Sequence, residues 1–238
     1  MGHLYLVRHG QASFGSANYD QLSNLGVEQG RLLGAWFAEC RQNFDHVVTG
    51  NLQRHRQTAD SCLAALGASP PRAVDPGFNE YDHEEILIRH RPDFADPEAV
   101  RRFLVEQENG KKAFQKIFED AMARWMSGAH DADYGESWSV FRARCIAALR
   151  RVVDGAGGSQ RIVVFTSGGT ISTLCQHVLG MSDRQTFQLN WSLVNSAVTK
   201  LLFQSGEAGG EGSRISLSYL NNYAHLEKHG DAAVVTYR

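Results

Sequence analysis

Two short apolar runs constrain this chain most. Leu4-Tyr5-Leu6-Val7 is too short for a helix, is rich in strand formers, and stops at Arg8-His9-Gly10. Ile162-Val163-Val164-Phe165 is a continuous apolar run that feeds straight into Thr166-Ser167-Gly168-Gly169-Thr170. Such runs mark strands covered on both faces. A sheet of that kind presents its chemistry at its strand ends, and a glycine there lets the backbone turn. The sequence therefore predicts an α/β sandwich of three layers, α/β/α, around a mostly parallel sheet.

The stretches between these runs fill in the layers. Ser23 is placed to cap a helix over Leu25 to Cys40, whose Leu25, Leu32, Leu33, Trp36 and Phe37 fall near helical spacing. Before it, Phe14 to Gln21 reads as a polar loop. Phe44 to Thr49 carries Val47-Val48 and reads as a second strand, ending at Gly50-Asn51. A helix from about Leu52 to Leu66 then opens with Arg54, His55 and Arg56. Basic side chains there oppose the helix dipole, which prefers anions at its N-terminus. The placement makes sense if an anion sits beside Arg54, where arginine and helix end act together; Arg56 reads as a solvated residue.

Pro70-Pro71 breaks the chain, and from His83 to about Gly135 the residues are charged and helical with no strand signal. Asp96-Pro97-Glu98 is a helix start, and the apolar stripe from Phe103 to Met126 is interrupted near Asn109-Gly110. We read one domain over residues 1–238 with a helical insertion at about 83–134. A further helix begins near Gly135-Glu136-Ser137 and ends in the glycine-rich stretch from Gly155. Two strand-like runs, Ala197 to Phe203 and Arg214 to Leu220, flank a Gly-rich loop from Ser205 to Ser213, and the tail beyond contains His225.

With 24 basic and 26 acidic residues the formal net charge is −2, so bulk charge does not recruit nucleic acid or a membrane surface. Any anion site must be local. No run approaches the ~20 apolar residues of a membrane span, and Met1-Gly2-His3 leads into the first strand without a signal-type segment. A cytoplasmic protein is expected. The cysteines Cys40, Cys62, Cys145 and Cys175 lack metal-ligand spacing and read as free buried thiols. Neither a metal nor a cofactor is expected, and a homodimer is left open.

Arg8, His9, Arg54, Glu80 and the turn Ser167–Gly169 all fall at strand ends or just after them. Two guanidinium forks around an imidazole suit a tetrahedral dianion. At these residues the sequence resembles the histidine phosphatase superfamily, of phosphoglycerate mutase-like fold. Leu6-Val7-Arg8-His9-Gly10 matches its N-terminal signature, and Leu22-Ser23-Asn24-Leu25-Gly26-Val27-Glu28-Gln29 matches the start of its first helix. Leu52 to Ala59 looks like its second-arginine segment, with His55 where alanine is usual. Phe78-Asn79-Glu80, Gly135-Glu136-Ser137-Trp138 and Asn195-Ser196-Ala197-Val198 fit later segments.

The resemblance implies that His9 is a nucleophile forming a phosphohistidine, with Arg8, Arg54, Ser167 and Gly168 binding phosphate. Glu80 is the chosen general acid, with Glu84, Glu85 and Glu136 as fallback acids. Ser167 departs from the family, which places a second histidine there; a neutral hydroxyl replaces a charged donor, and His55 and His225 are the candidates to substitute, each also readable as an ordinary packing or surface histidine. The expected function is that of a phosphatase, a phosphomonoester hydrolase acting on a phosphorylated small molecule or phosphoprotein. The alternative is a phospho-ligand binding protein with little catalysis; mutase-type phosphoryl transfer has weaker support. His46, His177 and His229 read as structural or solvated.

Overall fold

The structure is a computed structural model that describes residues 1–13, 20–204 and 213–237. Most of the expected Phe14–Gln21 and Ser205–Ser213 loops lies outside the described residues. In chain order the elements are β1 (Gly2–Arg8), α1 (Asn24–Glu39), β2 (His46–Thr49), α2 (Gln53–Leu66), β3 (Arg72–Val74), α3 (His83–His90), α4 (Pro97–Glu106), α5 (Gly110–Met126) and α6 (Trp138–Asp154). They continue with β4 (Arg161–Thr166), α7 (Gly168–Leu179), α8 (Asp183–Ser192), β5 (Val198–Gln204), β6 (Arg214–Asn222) and α9 (Ala224–His229).

The described strands form one mixed sheet in the order β3-β2-β4-β1-β5-β6. The β1–β4, β4–β2 and β2–β3 pairings are parallel; β5 and β6 add antiparallel strands on the far side of β1. Side chains alternate across each strand. Tyr5, Val7, Val163 and Phe165 pack with Leu33 and Phe37 of α1 and with Ala59 and Cys62 of α2. On the opposite face Leu4, Leu6, Ile162 and Val164 are equally buried, and α7 lies against β1 and β6. Helices thus cover both faces, which is why β1 and β4 read as unbroken apolar runs; each such side chain removed from water contributes about 1.5–3 kcal/mol.

The chain divides into two compact units, Met1–Glu80 with Cys145–Arg238, and Tyr81–Arg144. The first carries the sheet. The second is helical, with Tyr81, Trp125, Trp138 and Phe141 packed ring on ring at centroid distances of 5.2–5.9 Å. Its α4 starts at Asp96, whose side chain accepts the Glu98 N–H, and its α5 starts at Asn109. No helix among the described residues is long and apolar enough to cross a membrane.

The structure corrects several local expectations. The segment after Pro70-Pro71 is a strand, β3, exposed along its length and recruited by pairing with β2. The helices α8 and α9 stand where no element was anticipated. Cys40 is exposed, because it is the residue that ends α1, whereas Cys62, Cys145 and Cys175 are buried thiols as expected.

The chain leaving β1 passes very close to the start of α1. A Cβ on Gly26 would overlap the Gln11 carbonyl oxygen, and one on Gly10 would overlap the Gly26 carbonyl. Buried Gln29 secures the crossing: its Oε1 accepts from Gln11 N–H (2.8 Å), and its Nε2 donates to the Val234 carbonyl (2.7 Å). Farther along, α9 buries His225, whose Nε2 lies 2.8 Å from Ser196 Oγ. Burial lowers the His225 pKa to about 4.

Two outcomes follow. Gly26→Ala inserts a methyl where backbone already stands and lowers stability by about 1–3 kcal/mol, read as a lower urea midpoint at unchanged slope. His225 is neutral in the fold and protonates near pH 6.5 once unfolded, so below pH 6.5 the unfolded chain binds more protons. Stability should fall as pH drops from 6.5 towards 4, by roughly 3 kcal/mol from this group. His225→Gln should flatten that part of a stability–pH curve; an unchanged slope refutes the assignment.

Candidate active site

The carboxyl ends of β1, β4 and β2 lie side by side, and the backbone ladder continues past them. His9 N–H donates to the Thr166 carbonyl (2.8 Å), and Gly50 N–H donates to the Phe165 carbonyl (3.1 Å). His9 thus stands beside the β4–α7 turn, with the start of α2 next to both.

His9 is 7% exposed, and its Nδ1 lies 2.7 Å from the Gly10 carbonyl oxygen. A carbonyl can only accept, so Nδ1 carries the proton and Nε2 keeps a free lone pair. Burial, then the charges of Arg54 and Arg8, hold the His9 pKa well below the ordinary histidine value. The imidazole is a neutral base aimed by its own backbone. Its main chain is clamped from behind, with Asn195 Nδ2 donating to the His9 carbonyl (3.1 Å). Ser196 N–H reaches the Arg8 and His9 carbonyls at 3.1 and 3.2 Å. Ser196 holds a left-handed φ of 61° to do so.

Arg8 donates through Nη1 to the Leu193 carbonyl, and its guanidinium lies against the Cα of Gly168, where an added Cβ would sit 3.4 Å from Arg8 Nε. Arg54 is 7% exposed and donates through Nη1 to Asp20 Oδ1 (2.8 Å). Asp20 Oδ2 accepts from the Gln53 N–H (2.7 Å), so it also caps α2, whose N-cap residue Leu52 offers no side-chain bond. The anion expected beside the basic first turn is thus, in part, a protein carboxylate. Sequence reasoning missed Asp20, which precedes Arg54 by 34 positions in a segment without periodicity.

Glu80 is half-buried, and its Oε2 accepts the Gly169 N–H (3.0 Å) in the first turn of α7. Thr166 and Thr170 fasten the same segment by donating to the Phe78 and Asn79 carbonyls at 2.6 and 3.0 Å. Ser167 is fully buried, with Oγ 2.6 Å from His55 Nε2. The His55 ring is fully buried too, its centroid 5.8 Å from that of His9. Burial first, and Arg54 second, hold the His55 pKa well below its ordinary value.

The structure therefore gathers Arg8, His9, Arg54, His55, Glu80, Ser167 and Gly168. It does not bring His225 into the group, because that ring is held by Ser196. Glu84, Glu85 and Glu136 belong to the helical unit: Glu84 is exposed, Glu85 accepts from Gly135 N–H, and Glu136 is bound twice by Arg144. His46, His177, His229 and Arg56 are exposed. Among the described residues no group of three His, Cys, Asp or Glu side chains could hold a metal ion.

Comparison with known proteins addresses the same residues. The family model of the histidine phosphatase superfamily (branch 1) matches residues 4–111 and 104–211. A 2,3-bisphosphoglycerate-dependent phosphoglycerate mutase of Sinorhizobium fredii (strain NBRC 101917 / NGR234) is 35% identical over 99 residues, covering 39% of this chain and 47% of that one. The match thus spans about half the length of the curated relatives. The solved phosphoglycerate mutase of Bacillus anthracis str. Sterne superposes with a TM-score of 0.65 at 18% identity, over 97% of both chains. A phosphoserine phosphatase of Entamoeba histolytica in complex with 3-phosphoglyceric acid gives 0.61 at 17%, over 95% of this chain and all of that one. At such identities the superpositions show the three-layer fold alone. The family match, in contrast, runs through Arg8-His9-Gly10, Arg54 and the Ser167 turn together, and by it this chain belongs to the histidine phosphatase superfamily.

Proposed function

We propose that the protein is a phosphomonoester hydrolase that works through a phosphohistidine on His9 Nε2. The observation that carries this reading is the 2.7 Å bond from His9 Nδ1 to the Gly10 carbonyl, which leaves Nε2 unprotonated among two guanidinium groups. An imidazole must be neutral to attack, and a dianion needs fixed positive charge to approach it.

In this reading Nε2 attacks phosphorus as the bond to the ester oxygen breaks. Glu80, whose Oε2 accepts the Gly169 N–H, passes a proton to that leaving oxygen. Water then attacks phosphorus, returns a proton to Glu80, and the N–P bond breaks to release phosphate and neutral His9. Arg8 and Arg54 hold the phosphoryl oxygens through the loose transition state, with the first turn of α7 at Gly168 beside them. The phosphoglycerate mutase and phosphoserine phosphatase relatives favour a phosphorylated small molecule as substrate. Mutase-type transfer from the same phosphohistidine would pass the phosphoryl group to another hydroxyl instead of to water, so the two readings differ in the acceptor.

With an aryl phosphate, wild-type protein should release phosphate, and acid-labile, base-stable phosphate should be trapped on it by rapid denaturation. His9→Ala should lose both; turnover persisting in that variant sinks the reading. Arg54→Gln should lower kcat/KM by roughly 10²–10³-fold.

The acid limb of kcat/KM should lie below pH 6.5, since His9 stays neutral as pH falls through the ordinary histidine value. Arg54→Gln removes a charge that disfavours the imidazolium, so the His9 pKa rises and the limb moves to higher pH. Burial, the larger cause, remains, and the limb should stop short of 6.5.

A further inference from the structure

Ser167 occupies the N-cap of α7, where a serine hydroxyl ordinarily accepts a first-turn N–H. Here it caps nothing; the Gly169 N–H is taken by Glu80. The hydroxyl instead meets His55 Nε2 at 2.6 Å, and both side chains are fully buried. No second partner for the Ser167 hydroxyl is found among the described residues, although a hydroxyl has one proton to give and two lone pairs.

Which atom donates follows from the other side of the ring. His55 Nδ1 is buried without a hydrogen-bond partner. It faces the Cα of Gly50 so closely that a Cβ there would collide with it. A C–H directed at the ring nitrogen suits a lone pair and opposes an N–H, and orphaned buried N–H groups are the rarer defect. Nδ1 is therefore the bare nitrogen and Nε2 carries the proton. Nε2–H donates to Ser167 Oγ, which leaves the Ser167 proton uncommitted.

The surroundings give that proton a direction. Thr166 accepts the His9 N–H on one side of Ser167, and Gly168 lies against the Arg8 guanidinium on the other. The His55 ring stands 5.8 Å from the His9 ring, tilted by 34°. We infer that Ser167 and His55 form one unit: His55 Nε2–H fixes the Ser167 oxygen, so that the Ser167 O–H donates to an oxygen of the phosphoryl group bound at His9. Ser167 touches the ligand; His55 is a positioning residue acting through it. The ligand class rests on the function proposed above.

The test measures orthovanadate affinity by calorimetry, alongside aryl phosphate turnover, in Ser167→Ala, His55→Phe, the double variant and His55→Gln. Each of the first two should weaken vanadate about tenfold, the scale of one neutral hydrogen bond. The double variant should lose no more than either, whereas His55→Gln, which restores a donor near the Nε2 position, should recover severalfold over His55→Phe. Nitrogen NMR of wild-type His55 should show Nε2 protonated and Nδ1 bare. Losses that multiply to about a hundredfold, indifference of vanadate to Ser167→Ala, or a proton on Nδ1 each overturn the pair. Non-additive vanadate losses in a protein without turnover leave the pair standing and remove the phosphatase reading. Turnover through His9 with affinities indifferent to both substitutions does the reverse, and a protein that binds no vanadate refutes both.

Discussion

Two guanidinium groups can be held beside a buried imidazole only while that imidazole is uncharged. Protonating His9 would place a third positive charge in a poorly hydrated space, and both burial and the arginines act against it. The Gly10 carbonyl settles which nitrogen keeps the one remaining proton. Basicity, orientation and electrostatic attraction for an anion thus come from one local arrangement, made by three consecutive residues and one arginine from α2. Asp20 tempers it, because a carboxylate on Arg54 offsets part of the positive charge while fixing the guanidinium in place.

The scaffold delivers that arrangement through parallel pairing. Parallel neighbours present their carboxyl ends at one edge, so β1, β4 and β2 bring residues 9, 167 and 54 together although more than a hundred positions separate the first two. Tolerances at that edge are set by backbone contacts. Gly10 and Gly26 let the chain after His9 cross α1, and Gln29 ties the crossing to the residues around Val234. Glycine is required there for closeness, not for an unusual backbone angle.

What could be read in the sequence follows from the range of the interactions involved. The continuous apolar runs of β1 and β4 announce strands buried on both faces, because burial acts on each residue by itself. Ser23 and Asp96 announce helix starts because a cap is a bond to an N–H only two or three positions ahead. In contrast, β3 carries no pattern; three exposed residues are a strand only because β2 offers them a ladder. Asp20 shows no signal either, since its role as cap for α2 and partner for Arg54 exists only after folding. The α8 start has a local signature in Ser182 and Gln185, which form a capping box, but no apolar stripe follows to mark a helix. His55 and Ser167 were each visible as departures, but their bond spans 112 positions and no local rule joins them.

That bond changes how the serine should be weighed. A serine alone, in place of a cationic donor, exchanges a charge-assisted bond of about 1.5–3 kcal/mol for a neutral one of about 0.5–1.5 kcal/mol. Its hydroxyl would also be free to turn. A ring nitrogen donating to that oxygen sets its position and narrows the directions left to its proton before any ligand arrives, so less ordering is charged against binding. In the proposed reaction the remaining deficit falls alike on substrate, intermediate and released phosphate. Weakening that is uniform along the path raises KM and speeds product departure without raising the chemical barrier from the bound state. A neutral donor pair beside two arginines is therefore compatible with turnover, and the deficit belongs in affinity before it belongs in the chemical step.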